Sequence, residues 1–238
     1  MSELRHSRYG LLAGVETEGL ARQYQTHITL IGCGGVGQAV TGMLGAAGNG
    51  CLTLIDPEHI TLSNISRLPL MQASDVGRPK VEALADAIRR NHPEQRVICL
   101  QEIISSRTLD GLCSKTNIMI DATDNWPTRK LLATYCREKK IPLVSGGALA
   151  TDGWVGMFMP DGPPLEAWLG QPGQLADTCE SVGVLGPLVG IVGNWMAMET
   201  LKLIWQSSNP TRWQTLTGRI VYIDGRYSDV RIQPLGNA

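Results

Sequence analysis

Residues 27–56 read HITLIGCGGVGQAVTGMLGAAGNGCLTLID. An apolar run (Ile28, Leu30, Ile31) meets the turn Gly32-Cys33-Gly34-Gly35-Val36-Gly37 without a spacer. Small residues from Gln38 to Ala47 follow, then a second apolar run from Cys51 to Ile55, closed by Asp56. The order is strand, glycine turn, helix, strand, acid. Glycines here supply a tight turn, room for a phosphate against bare backbone, and close packing of helix on sheet. The predicted helix begins near Gly35 and aims its free N–H groups and positive dipole end into the turn. Asp56 falls about twenty residues later, where a carboxylate accepts from a ribose hydroxyl. A merely structural glycine turn requires none of this flanking order. The stretch predicts a nucleotide site and leaves the nucleotide and the chemistry open.

Outward from it, strands and helices alternate. Gly19 to Gln25 reads as a short helix. Pro57 to Gly77 lacks clean periodicity. Lys80 to Asn91 places Val81, Leu84, Ala85 and Ile88 at helical spacing. Arg96 to Leu100 predicts a third strand, Thr108 to Cys113 a short helical connection, and Ile118 to Ile120 a fourth strand. Pro127 suits the first turn of a helix running to about Lys139, with Leu131, Leu132 and Tyr135 inward. Pro142 to Val144 predicts a fifth strand ended by Gly146-Gly147. Such alternation implies a parallel, doubly wound sheet. Trp154 to Met159 then alternates as a strand, and Asp161 to Thr178 is a loop rich in Pro and Gly. A helix from Pro187 to Trp205 follows. Arg219 to Asp224 and Asp229 to Pro234 form a hairpin that extends the sheet antiparallel. The expected class is α/β, a Rossmann-like doubly wound sheet, mostly parallel, with antiparallel strands added by the C-terminal half. One domain is expected, with a nucleotide half (about 1–150) and a second half (about 151–238).

Composition bounds the function. A chain of 238 residues, 43% apolar and 18% charged, buries a sizeable core. Its net charge of -1 offers no basic excess for nucleic acid. The polar N-terminus lacks a signal core, so a cytoplasmic protein is expected. Val182 to Ile204 is apolar but carries Asn194, Glu199 and Lys202, so it reads as a buried helix rather than a membrane span. Cys33, Cys51 and Cys99 lie in or beside core strands and read as small hydrophobes. No C-x-x-C pair occurs, which excludes a tetrathiolate zinc site. His59 and His92 sit among polar residues and read as surface positions.

The glycine turn has polar company. In a doubly wound sheet the ends of the first, second and fourth strands share one carboxyl edge, so Asp56 and Asp124 meet the glycine turn there. Asn64, Arg67 and Lys80 follow Asp56 at short offsets. An Arg and a Lys suit a triphosphate, because they neutralise charge building on a leaving group. Asp124 suits magnesium, an oxygen-seeking ion that keeps several waters. Each has a plainer role alone: Lys80 a solvated charge, Asp124-Asn125 a helix cap, Arg67 a surface residue. An NAD-dependent oxidoreductase would use the glycine turn and Asp56 but leave Arg67, Lys80 and Asp124 unexplained.

These motifs together resemble the ThiF/MoeB/HesA family of the ubiquitin-activating-enzyme superfamily. The resemblance runs from Arg5-His6-Ser7-Arg8, through Gly32 to Gly37, Asp56, Ser63-Asn64, Arg67 and Gly77-Arg78-Pro79-Lys80. It continues through Asp121-Ala122-Thr123-Asp124-Asn125 and Gly183 to Gly190, and ends at Ala197 to Lys202. It implies ATP and magnesium, and adenylation of the C-terminal Gly-Gly carboxylate of a small ubiquitin-like sulfur carrier, which then receives sulfur, with a sulfurtransferase or cysteine desulfurase as a further partner. Nucleotide contacts pass to Gly32, Gly34, Gly35, Gly37, Asp56, Asn64, Arg67, Lys80, Asp124 and Asn125, and magnesium to Asp124. A homodimer is implied, with Arg8 reaching the γ-phosphate in the neighbouring subunit and Val182 to Ile204 helping to form the interface. Cys179 falls where relatives carry a cysteine that in some of them links covalently to the carrier. Its neighbours Asp177 and Glu180 oppose a lowered thiol pKa, so a spectator role stays open beside it. Many relatives bind zinc through two C-x-x-C pairs; with neither here, no structural zinc is expected. Further members of the superfamily adenylate a small molecule or a tRNA base, or serve as non-catalytic subunits.

Overall fold

A computed structural model describes residues 5–169 and 182–235. In chain order the elements are helices α1 (Ser7–Gly10) and α2 (Glu16–Gln25), strand β1 (His27–Ile31), α3 (Gly35–Ala47) and β2 (Cys51–Ile55). Two 3-10 turns (Leu62–Arg67 and Ala73–Asp75) lead to α4 (Lys80–Asn91), β3 (Val97–Leu100), α5 (Leu109–Cys113), β4 (Ile118–Asp121) and α6 (Trp126–Lys139). Then come β5 (Leu143–Leu149), β6 (Asp152–Phe158), α7 (Glu166–Leu169), α8 (Gly186–Gln206), β7 (Arg219–Asp224) and β8 (Asp229–Pro234).

The eight strands form one sheet in the order β3-β2-β1-β4-β5-β6-β7-β8. Pairings from β3 to β5 are parallel, and those from β5 to β8 are antiparallel. Alternation explains why both faces are covered. Ile28, Leu30, Leu52, Leu54, Ile118 and Ile120 join one core cluster, whereas Ile31, Ile55 and Met119 join the other. Successive side chains of a strand point to opposite faces, so an all-apolar run demands helices on both. The first face receives Val40 and Leu44 of α3, Leu84 and Ile88 of α4, and Leu188, Val192 and Met196 of α8. The second receives Leu109 of α5 and Leu132 and Tyr135 of α6. The apolar Val182 to Ile204 segment is thus a packed helix for most of its length, and no helix among the described residues is long and apolar enough to cross a membrane.

Two expectations are corrected. Strand β5 is not ended by Gly146-Gly147: it continues to Leu149, with Gly146 opposite Val155 and Gly147 opposite Trp154. An antiparallel partner supplies ladder bonds that outweigh the low strand propensity of glycine. Small residues are needed there, since a Cβ on Gly146 would come within 2.6 Å of Met196 Sδ. His92 is not a surface residue. It is 7% exposed and stacks on His6 at 5.4 Å between ring centroids. His59 is exposed as expected.

Candidate active site

The carboxyl ends of the parallel strands open into a cavity of about 820 Å³. Its lining includes Gly32, Gly34, Gly35, Asp56, Asn64, Arg67, Lys80, Asp124 and Asn125, so nine of the residues singled out from sequence converge on one space. Gly37 lies beneath the turn instead. Arg8 is exposed on α1 and does not line the cavity of its own chain. Cys179 lies outside the described residues.

The turn is built as its glycines require. Gly32 has φ +94°, and its N–H donates to the Ile55 carbonyl at 3.0 Å. A side chain at Gly37 would overlap the Gly32 carbonyl oxygen, so the first turn of α3 can pack this closely only without a Cβ. Gly34 differs: a Cβ there would meet nothing within 4 Å, because that side faces the cavity. No side chain caps α3, which leaves its first N–H groups for a ligand. Bare backbone and open N–H groups on the cavity wall fit a phosphate chain.

Asp56 follows β2 and is 6% exposed. Its Oδ2 accepts from Cys33 N–H at 2.6 Å and its Oδ1 from Glu58 N–H at 2.8 Å. The carboxylate therefore pins the glycine turn to the loop after β2. Burial raises its pKa, and the backbone bonds from Glu58 and Cys33 oppose that rise. The stretch without periodicity is a folded loop. Asn64 sits in its 3-10 turn, with Oδ1 accepting from Thr61 N–H at 3.4 Å. Arg67 ends that turn, half-buried, with Nη1 3.4 Å from the Ser63 carbonyl. Lys80 opens α4 but is buried, and its Nζ pairs with Glu58; the plainer expectation of a solvated charge does not hold.

The β4–α6 connection divides two roles between neighbours. Asn125 caps α6, its Oδ1 accepting from Thr128 N–H at 3.0 Å. Asp124 is then left exposed on the cavity wall, with no hydrogen bond or ion pair to a described residue. A single open carboxylate fits magnesium only where substrate phosphates and water complete the shell, and no cluster of three or more metal-ligating residues occurs among the described residues.

Arg129 is a further cavity residue, and no motif in the sequence singles it out. It lies on α6, is buried, and reaches back under this connection. Its Nη1 lies 3.0 Å from Asp121 Oδ2, 2.9 Å from Ser145 Oγ and 3.2 Å from the Gly146 carbonyl, and Nη2 donates to the Thr123 carbonyl. Its guanidinium also lies 4.9 Å from the centre of the Trp154 ring. The available signal is an arginine four residues after the Asn125 cap, one helical turn on and so facing the same edge.

The far wall of the cavity comes from the C-terminal half: Asp152 and Trp154 of β6, Tyr222 of β7, and Trp168. Tyr222 donates to Asp152 Oδ1, and that bond with burial pushes the phenol up to about 12. The cavity thus joins the glycine-turn end to an aromatic end. The five described cysteines are free, and burial raises their thiols, Cys113 to about 11.

Comparison with known proteins finds relatives over most of the chain. The model of the ThiF family matches residues 6–236. Molybdopterin-synthase adenylyltransferase of Escherichia coli (strain K12) is 34% identical over 93% of this chain and 88% of its own length. The SAMP-activating enzyme E1 of Haloferax volcanii is 32% identical over 92% of this chain and 80% of its own. The crystal structure of E. coli MccB superposes with a TM-score of 0.84 over 100% of this chain and 71% of that one, at 18% identity, a likeness of fold alone.

Proposed function

The chain belongs to the ThiF family, and from that premise we propose that it is an ATP-dependent adenylyltransferase that activates the C-terminal Gly-Gly carboxylate of a small ubiquitin-like sulfur carrier. The observation that carries this reading is the meeting of the glycine turn, Asn64, Arg67, Lys80 and Asp124 on one cavity. Two cations beside a phosphate cradle suit a triphosphate better than a dinucleotide.

In the proposed reaction a carboxylate oxygen of the carrier attacks the α-phosphorus of ATP. The bond from that phosphorus to the bridging oxygen breaks, and pyrophosphate leaves with the electron pair. Arg67 and Lys80 stabilise the charge gathering on pyrophosphate and reduce repulsion between the two anions as they meet. Magnesium, held by Asp124 and the phosphates, would supply further neutralisation. The C-terminal half, with Trp154, Trp168 and Tyr222, receives the carrier tail. We propose a cytoplasmic location, one compartment in which ATP is supplied.

We also propose a homodimer. Exposed Leu185, Ile191 and Met198 on and beside α8 support an apolar interface, and exposed Arg8 is available to a neighbouring subunit. The sulfur step runs through Cys179 or through a separate sulfurtransferase. Cys179→Ser separates these: retained pyrophosphate exchange with lost thiocarboxylate assigns the cysteine, and unchanged thiocarboxylate assigns the separate enzyme.

ATP–pyrophosphate exchange tests the main reading. Exchange is expected only with a carrier that retains its terminal Gly-Gly. Exchange that instead depends on a free small molecule or a tRNA would overturn the choice of substrate.

A further inference from the structure

Glu58 and Lys80 face each other across a short antiparallel ribbon made by residues 57–60 and 77–80. Lys80 N–H donates to the Glu58 carbonyl at 3.0 Å, Ile60 N–H to the Arg78 carbonyl at 2.9 Å, and Gly77 N–H to the Ile60 carbonyl at 2.8 Å. His59 bridges to Pro79 in the same register. Backbone pairing therefore delivers the Glu58 carboxylate to Lys80 Nζ.

The two side chains differ in exposure, 7% for Lys80 and 64% for Glu58. A buried ammonium needs a counter-charge. Asp56 is close enough for the Lys80 charge to act on its carboxyl, but its oxygens are directed to the backbone N–H groups of Cys33 and Glu58 and it makes no ion pair with Lys80 among the described residues. Glu58 is the ion-pair partner of Lys80 among the described residues. Both line the cavity that holds the glycine turn.

We propose that Glu58 is a displaceable counter-ion that holds Lys80 toward the cavity, gives way to the triphosphate, and so sets the affinity for ATP. This rests on the reading of Lys80 as a phosphate contact. The exchange moves no proton and makes no bond; one anionic partner of Lys80 replaces another. Glu58 can leave because its carboxylate is already mostly in water, whereas Lys80 is held by its burial. ATP binding must break one partly exposed ion pair and bring phosphate past a carboxylate. Glu58 is thus a positioning residue whose retention weakens ATP, by roughly three- to fivefold on the usual worth of such pairs.

Calorimetric titration of wild-type, Glu58→Gln and Glu58→Asp protein with ATP and with adenosine tests this. Glu58→Gln is expected to bind ATP roughly three- to fivefold tighter, Glu58→Asp to stay closer to wild type, and adenosine to bind all three alike. In pyrophosphate exchange the gain belongs to KM for ATP rather than to kcat. A merely structural role would not tighten ATP selectively. Weakening of ATP and adenosine together would make Glu58 a nucleoside contact and overturn the proposal. Weakening of ATP alone would make it an obligatory support of Lys80 and would overturn the proposal too. Unchanged ATP affinity in Glu58→Gln, with exchange intact in wild type, overturns this inference alone. A wild-type protein that binds no ATP overturns the reading beneath it as well.

Discussion

Arg129 and Asp121 form an ion pair at 3.0 Å with side chains 8% and 0% exposed. Asp121 ends β4, and its other oxygen accepts from Thr123 N–H at 3.0 Å and Thr123 Oγ1 at 2.6 Å. Ser145 of β5 donates to the same carboxylate at 2.5 Å. The pair thus ties the Asp124 connection to the strand that leads into the second half.

Removing one partner of such a pair leaves a buried charge unmatched. Arg129→Met is expected to destabilise the protein by roughly 3 to 5 kcal/mol, measured by urea unfolding. Exchange activity should fall too, because Thr123 loses the donor that holds its carbonyl. A loss below about 1 kcal/mol would place Asp121 within reach of water in the variant and remove the basis for this argument.

Arg67→Ala and Lys80→Ala remove charge at the proposed phosphate end. Each is expected to reduce carrier-dependent pyrophosphate exchange by at least about 100-fold, with circular dichroism unchanged. Near-normal exchange in either folded variant would sink that residue's assignment.

Arg8 does not line the cavity of its own chain, and Asp124 does. In a dimer with shared sites, Arg8→Ala and Asp124→Ala proteins are each inactive. Mixed under conditions of subunit exchange, they should recover about a quarter of wild-type sites if one composite site per heterodimer is intact. No recovery despite proven exchange, or a strict monomer in sedimentation, would contradict the shared site.

The His6–His92 stack is expected to make stability depend on pH. Burial lowers both imidazoles from 6.5. For His6 the next cause is the charge of His92, and for His92 it is the charge of Arg5. Tyr24 Oη lies 2.7 Å from His6 Nδ1, and Glu94 acts weakly in the opposite sense on His92. The unfolded chain takes up protons more readily than the folded one. The contribution is therefore complete above pH 6.5 and is lost as pH falls through 6.5 toward the depressed folded values. Urea midpoints at about pH 7.5 and about pH 5.5 should differ by more in wild type than in His6→Phe. Equal differences would show that the stack does not sense protons.

Much of this was legible from local pattern. The periodic positions Val81, Leu84, Ala85 and Ile88 gave the helix Lys80–Asn91 at its observed bounds, and the final hairpin also matches. The glycine turn and its acid could be placed because one βαβ unit contains both. The meeting of Asp56 and Asp124 with the glycine turn was legible as well, since parallel strands in a doubly wound sheet bring their carboxyl ends to one edge; Asn64, Arg67 and Lys80 were joined to them by their offsets from Asp56 and by the family resemblance.

What the sequence by itself determined is the order of elements and the edge at which the site forms, because both follow from periodicities and turns a few residues long. Tertiary structure alone decided how each polar residue is used. Lys80 is buried where its segment pairs with residues 57–60, a partner distant in the chain. Arg129 finds Asp121 and Ser145 on two different strands, and His6, before α1, stacks on His92, after α4. Burial and charge pairing arise from contacts between segments distant in the chain, and no local pattern encodes which partner will arrive.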